Sequence, residues 1–130
     1  MDLSEVEHKR LTAVTAARFT HESEIPEILH VWLHLETAIV RVHVGPDWTF
    51  RITPDELEES YVMEELGSRV DVISAPREVP FVRHIGERLG RVTERFDDED
   101  PAQCMGAESV FETGSVLAWS FGGDLHMADR

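Results

Sequence analysis

The sequence predicts one α+β domain over residues 1–130, mainly antiparallel sheet, with an N-terminal helix and one or two further short helices. Three observations predict it. Residues 28–44 alternate apolar and polar side chains with a change of parity midway, which is the pattern of a β-hairpin. The C-terminal third repeats short alternating runs separated by glycine-containing turns at Gly114 and at Gly122-Gly123. Helix-like spacing is confined to separate blocks near residues 5–18, 54–66 and 81–89, without the strand-helix-strand repetition of a parallel sheet.

In chain order, Ser4 and Glu7 stand at capping-box spacing, and Val6, Leu11, Val14 and Ala17 recur at helical intervals, which predicts a helix over 5–18. The polar run from Thr20 to Glu24, with Pro26 behind it, ends that helix. Next, Val31, Leu33 and Leu35 share one parity while Ala38, Val40, Val42 and Val44 share the other. A turn at Glu36-Thr37 therefore pairs Leu35 with Ala38, Leu33 with Val40 and Val31 with Val42 on one apolar face. The same register sets His30 opposite His43, Trp32 opposite Arg41 and His34 opposite Ile39 on the other face. Glu-Thr is a poor two-residue turn, but a four-residue loop keeps the identical pairing.

Gly45-Pro46-Asp47 turns the chain into a third strand, Trp48–Ile52, and completes a meander. Thr53-Pro54-Asp55-Glu56 supplies an N-cap, a first-turn proline and acids, and Gly67 a stop, for a helix over 54–66. Its apolar residues, Leu57, Tyr61, Val62, Met63 and Leu66, spread around the helical wheel instead of forming a stripe. Val70, Val72 and Ile73 make a short strand closed by Ser74-Ala75-Pro76. Phe81, Ile85 and Leu89, four apart, line one face of a short helix that Gly90 stops. Val92, Glu94 and Phe96 begin an extended segment that runs into the solvated loop Asp97-Asp98-Glu99-Asp100-Pro101. Strands over Ser109–Thr113, Val116–Phe121 and Leu125–Met127 finish the domain.

A chain of 130 residues, 42% of them hydrophobic, is long enough to bury a core without disulfides, and its lone Cys104 allows no intramolecular one. The start Met1-Asp2-Leu3-Ser4 has neither the basic region nor the apolar core of an export signal, so a cytoplasmic protein is expected. No apolar run approaches the ~20 residues of a membrane-spanning helix.

The net charge of −14 is local. Ten of the 26 acidic residues fall in two stretches that contain no Lys or Arg, Thr53 to Leu66 and Asp97 to Asp100, and the remaining 112 residues are nearly balanced. Such a surface repels phosphates, which disfavours direct nucleic-acid binding, and attracts a basic protein such as a toxin or a nucleic-acid-binding protein. The expected contact residues are Asp55, Glu56, Glu58, Glu59, Glu64 and Glu65 of the first stretch and Asp97, Asp98, Glu99 and Asp100 of the second. Trp32 with Arg41 adds an aromatic-guanidinium pair of the composition found in interface hot spots if that face is open, whereas a covering layer makes Trp32 a core residue.

No nucleophile elbow, phosphate loop, zinc-binding helix motif or paired-cysteine motif occurs, so a non-enzymatic protein without cofactor is expected. His30 and His43 are the nearest candidates for metal ligands, but two ligands do not make a site, and His30 and His34 lie about 13 Å apart on a strand. The acidic loop lacks the spaced donors, bend glycine and terminal glutamate of a calcium loop. Cys104 has acidic neighbours that raise its pKa and suppress the thiolate. Two rival readings stand beside the binding protein: a small metal-dependent or hydrolytic enzyme on the histidine-bearing face, and a structural or assembly subunit. The sequence leaves the oligomeric state open.

The closing segment Gly114-Ser115-Val116-Leu117-Ala118-Trp119-Ser120-Phe121-Gly122-Gly123-Asp124-Leu125 resembles the terminal hairpin of some small, acidic, one-domain bacterial toxin-immunity proteins, which the chain also resembles in size and charge. The resemblance implies a cytoplasmic inhibitor that docks on a basic toxin. It carries over no individual site residue.

Overall fold

Alternation of apolar and polar side chains, the dominant pattern of the sequence, becomes strand almost throughout. A computed structural model describes residues 3–22, 24–54, 60–63 and 67–130. Among these residues, β1 (Leu11–His21), β2 (Glu27–Leu35), β3 (Ala38–Val44), β4 (Phe50–Pro54), β5 (Tyr61–Met63) and β6 (Ser68–Ser74) form one sheet in the order β4-β3-β2-β1-β6-β5. A second sheet holds β7 (Arg91–Phe96), β8 (Cys104–Val110), β9 (Ser115–Phe121) and β10 (Asp124–Asp129) in the order β10-β9-β8-β7. Every pairing is antiparallel. The described residues contain no α-helix, only 3-10 turns at Leu3–Glu5 and Pro80–His84, so the mainly antiparallel sheet stands and the helical half of the expected class does not.

Of the N-terminal helix expected over 5–18, residues 11–18 belong instead to β1, in the interior of the sheet. Residues 5–10 form turns and an isolated bridge from Arg10 to Arg88. The helical look of β1 comes from a β-bulge. Leu11 pairs with Leu35 and Ala13 with His34, so one extra residue separates Leu11 from Val14 and both reach the same face three positions apart. The supposed capping residue Glu7 accepts the backbone N–H of Val92 at 3.3 Å, across to the other sheet.

The β2–β3 hairpin has the register the alternation predicts, from Leu35 with Ala38 to Val31 with Val42. Its turn is the two-residue Glu36-Thr37, and neither residue takes the positive φ of the usual hairpin turns. A tertiary contact replaces turn propensity: the Glu36 carboxylate accepts the Arg10 N–H at 2.7 Å, and the Glu36 N–H donates to the Arg10 carbonyl at 3.1 Å.

The helix expected over 54–66 is also overturned where it is described. Pro54 ends β4, and Tyr61–Met63 pairs with Ser68–Val70 as an edge strand; residues 55–59 and 64–66 lie outside the described residues. Around Phe81 the chain makes a 3-10 turn and not a helix of two turns or more. Phe81 and Leu89 are buried but Ile85 is exposed, so the spacing by four does not mark one face. The last strands are longer than predicted, with β8 beginning at Cys104 and β10 reaching Asp129.

One apolar core joins the two sheets. Leu11, Val14, Ala16, Val31, Leu33, Val40, Val42 and Phe50 of the large sheet meet Ala107, Val116 and Ala118 of the small one, and Phe81, Leu89 and Phe111 close the end. Burial at this density makes truncation costly. Leu33→Ala is expected to lose about 2–5 kcal/mol in equilibrium urea unfolding, and a loss within about 0.5 kcal/mol, the level of a surface change, would contradict the packing of β2 in the core.

Candidate functional site

The acidic loop is shaped by its own carboxylates. Asp97 Oδ1 accepts the N–H groups of Glu99 at 2.7 Å and Asp100 at 3.2 Å, and Asp100 Oδ1 accepts the N–H of Ala102 at 3.2 Å. These are the local turns that aspartate favours. Two of the four acids therefore hold the β7–β8 connection, while Asp98 and Glu99 are exposed and make no salt bridge among the described residues. Asp55, Glu56, Glu58, Glu59, Glu64 and Glu65 lie outside the described residues.

Trp32 and Arg41 pair across the β2–β3 ladder as expected, but Trp32 is 0% exposed and sits in a cluster with Ala17 and Val70. A tryptophan in that position packs; it offers no free face to a partner. Arg41 is partly buried beside it. The His30 ring meets the Trp32 ring edge to face at 4.7 Å. The ladder ends at Val31 with Val42, one step short of His30 and His43, and His43 Nε2 lies 3.0 Å from Thr53 Oγ1. Burial lowers the pKa of His34, whose Nε2 lies 2.8 Å from Thr15 Oγ1. Among the described residues no three His, Cys, Asp or Glu side chains converge on one point that a metal could occupy.

A cleft of about 510 Å³ opens elsewhere, between the start of β2, the end of β3 and the β9–β10 hairpin. Glu27, His30, Asp124 and His126 line it together with the apolar Ile28, Leu29, Val44 and Leu125. The turn after β3 sets Trp48 beside it. The Trp48 N–H donates to the Gly45 carbonyl at 2.9 Å, Ser120 Oγ donates to the Trp48 carbonyl at 2.7 Å, and Asp47 is held by the Thr49 N–H and by Arg51 at 3.0 Å. That N–H is the main cause that keeps the Asp47 carboxyl below its ordinary range. Fixed at φ 66°, Trp48 remains 61% exposed, with its ring against Gly123. On the other side, His126 stacks on Trp119 with ring centres 5.6 Å apart and meets Phe121 edge to face at 5.8 Å. Phe121 is itself 71% exposed.

This chain matches no known protein family, no curated protein and no solved structure.

Sequence reasoning reached His30 but not Glu27, Asp124 or His126 as neighbours, because the two walls of the cleft lie about a hundred positions apart in the chain and belong to different sheets. Only the alternation of β9 and β10 carried a signal, by placing Trp119, Phe121 and His126 on one face.

Two further groups have chemical side chains. Cys104 is buried, its Sγ lies 3.5 Å from the Gly106 carbonyl, and its pKa is raised, chiefly by burial and further by Glu94. The expected direction holds, with burial the larger cause; a thiol so placed is a poor nucleophile. Near the β8–β9 turn, Glu87 accepts the Thr113 N–H at 2.8 Å and the Thr113 hydroxyl at 2.8 Å, and lies 3.2 Å from His84 Nδ1. The Thr113 hydroxyl lies 3.4 Å from that same nitrogen. A nucleophile-base-acid relay needs the imidazole between hydroxyl and carboxylate, one on each nitrogen. Here both crowd one nitrogen, so the cluster pins the turn to the 3-10 segment, with His84 stacked on Phe111 at 4.7 Å.

Burial alone would raise the Glu87 pKa, but the Thr113 N–H, the Thr113 hydroxyl and His84 outweigh it and lower the value from its ordinary 4.5. A folded-state pKa below the unfolded one stabilises the protein above pH 4.5, and that contribution fades as pH falls through the folded value. Glu87→Gln is therefore expected to lower the urea midpoint at neutral pH and to approach wild type below about pH 4; a gap that stays constant with pH would show that the carboxylate charge contributes nothing. Trp32→Ala is expected to cost about 3–5 kcal/mol of stability, where a solvent-facing interface residue would leave stability nearly unchanged.

Proposed function

We propose that the protein is a non-enzymatic acidic binding protein that docks on a basic surface of another protein, as an inhibitor does. The net charge of −14 carries the reading. Its described local support is the contrast between satisfied and unsatisfied acids. Asp71 pairs with Arg69 at 2.9 Å, Glu108 with Arg130 at 3.1 Å, and Asp129 with Arg83, whereas Asp98 and Glu99 stand exposed at the tip of the β7–β8 connection without such a partner among the described residues. Unneutralised charge at a loop tip steers encounter with an oppositely charged surface and raises the association rate more than it slows dissociation. Resemblance to toxin-immunity proteins points to a toxin as the basic partner and to a cytoplasmic place of action, with Asp55, Glu56, Glu58, Glu59, Glu64 and Glu65 contributing to the net negative charge.

The reading is tested by capture from a lysate of the native host, followed by kinetics on the recovered partner. A basic protein is expected, its association slowing steeply from about 0.05 M to about 0.5 M salt as exposed charges are screened. Neutralising Asp98, Glu99, Glu58, Glu59, Glu64 and Glu65 together should slow association more than it speeds dissociation. An acidic partner, or binding indifferent to salt, would overturn the proposal.

A further inference from the structure

We propose that the cleft between β2, β3 and the β9–β10 hairpin is a receptor for one guanidinium group, an arginine side chain presented by the partner; this deepens the docking reading and rests on it. The volume of about 510 Å³ lies within the range of sites that take small organic groups, about 300–1,000 Å³. Its lining is amphipathic in the sense that arginine needs. Ile28, Leu29, Val44 and Leu125 suit an aliphatic stem, and the carboxylates of Glu27 and Asp124 suit a cation. Among the described residues no Lys or Arg lines the cleft, and the basic side chains beside those acids are the imidazoles of His30 and His126. Two carboxylates in the lining of a chain of net charge −14 favour a cationic ligand over an anionic or a purely apolar one.

Guanidinium is favoured over ammonium by Trp48. Gly123, another lining residue, has φ 83°, and a Cβ built on it would stand 3.2 Å from the Trp48 ring nitrogen. Glycine at this position thus permits both the backbone conformation and the close seat of the indole, which leaves an aromatic face at the edge of the cleft. A planar guanidinium stacks on such a face while its fork of N–H donors reaches carboxylates; a lysine ammonium is a compact point charge that does the second and not the first. The exposed aromatic ring that the buried Trp32 does not offer is therefore supplied by Trp48, next to a cleft that Glu27 and Asp124 line.

The test needs no partner. A capped Gly-Arg-Gly peptide is titrated into ¹⁵N-labelled protein and followed by amide and indole chemical shifts, with the lysine and norleucine peptides as probes of charge shape and of the stem alone. Saturable shifts are expected at Trp48, Gly123 and Leu125, weaker by several-fold with lysine and absent with norleucine. The exposed substitutions Glu27→Gln and Asp124→Asn, combined, should weaken the arginine peptide by about tenfold or more, as loss of charge-assisted hydrogen bonds requires. Asp98→Asn with Glu99→Gln should leave cleft binding unchanged. Equal binding of the norleucine or lysine peptide, unaltered affinity in the cleft variant, or shifts confined to residues 97–100 would overturn the proposal. Failure here leaves salt-dependent docking standing. Cleft binding by a protein that captures no basic partner would remove the docking reading alone.

Discussion

The pairing of β2 with β1 on one side and β3 on the other is the constraint on which the rest of the molecule depends. It fixes parity. With Val31 set against both Ala16 and Val42, and Leu33 against both Val14 and Val40, the large sheet presents a continuous apolar face that only a second apolar layer can cover. β8 and β9 supply that layer through Ala107, Val116 and Ala118. A slip of one residue in either ladder would turn this face outward and bring histidine, arginine and threonine in. The register also decides what the other face holds, because Trp32, His34 and Arg41 must then lie on it.

That constraint was readable in the linear sequence wherever it showed as strict alternation. The β2–β3 register followed from the parity switch alone, even though Glu36-Thr37 is an unsuitable turn, since a contact with Arg10 holds it. β1 was misread because a bulge imitates the spacing of a helix. Leu11 and Val14 lie three apart only because one residue between them is looped out of the ladder. A second irregularity in the same ladder, between Ala17 and Arg18, leaves the pairing with β6 unbroken from Thr15 to His21. Local pattern cannot separate a bulged strand from an amphipathic helix; the six-stranded pairing separates them.

The site was legible in a different measure. Charge is additive along a chain, so the acidic loop at Asp97–Asp100 was found from composition, although only the structure divides it into acids that build the turn and acids that face solvent. Burial is not additive, and Trp32 exchanged a plausible interface role for a core one once its neighbours were in place. The cleft had no local signature at all. Glu27 and Asp124 line one cleft because the edge strand β10 of the small sheet lies against β2 and β3 of the large one, a juxtaposition created by sheet packing.

Apposition of β10 on β2 and β3 is thus the link between the fold and its proposed use, and nuclear Overhauser contacts between methyl groups measure it most directly. With selectively labelled methyl groups, the account predicts cross-peaks that join Leu125 to Ile28 and Val44, from opposite walls of the cleft, together with extended backbone shifts through Leu11–His21. Helical shifts over residues 5–18, or no contact between the two sheets at these methyls, would contradict it.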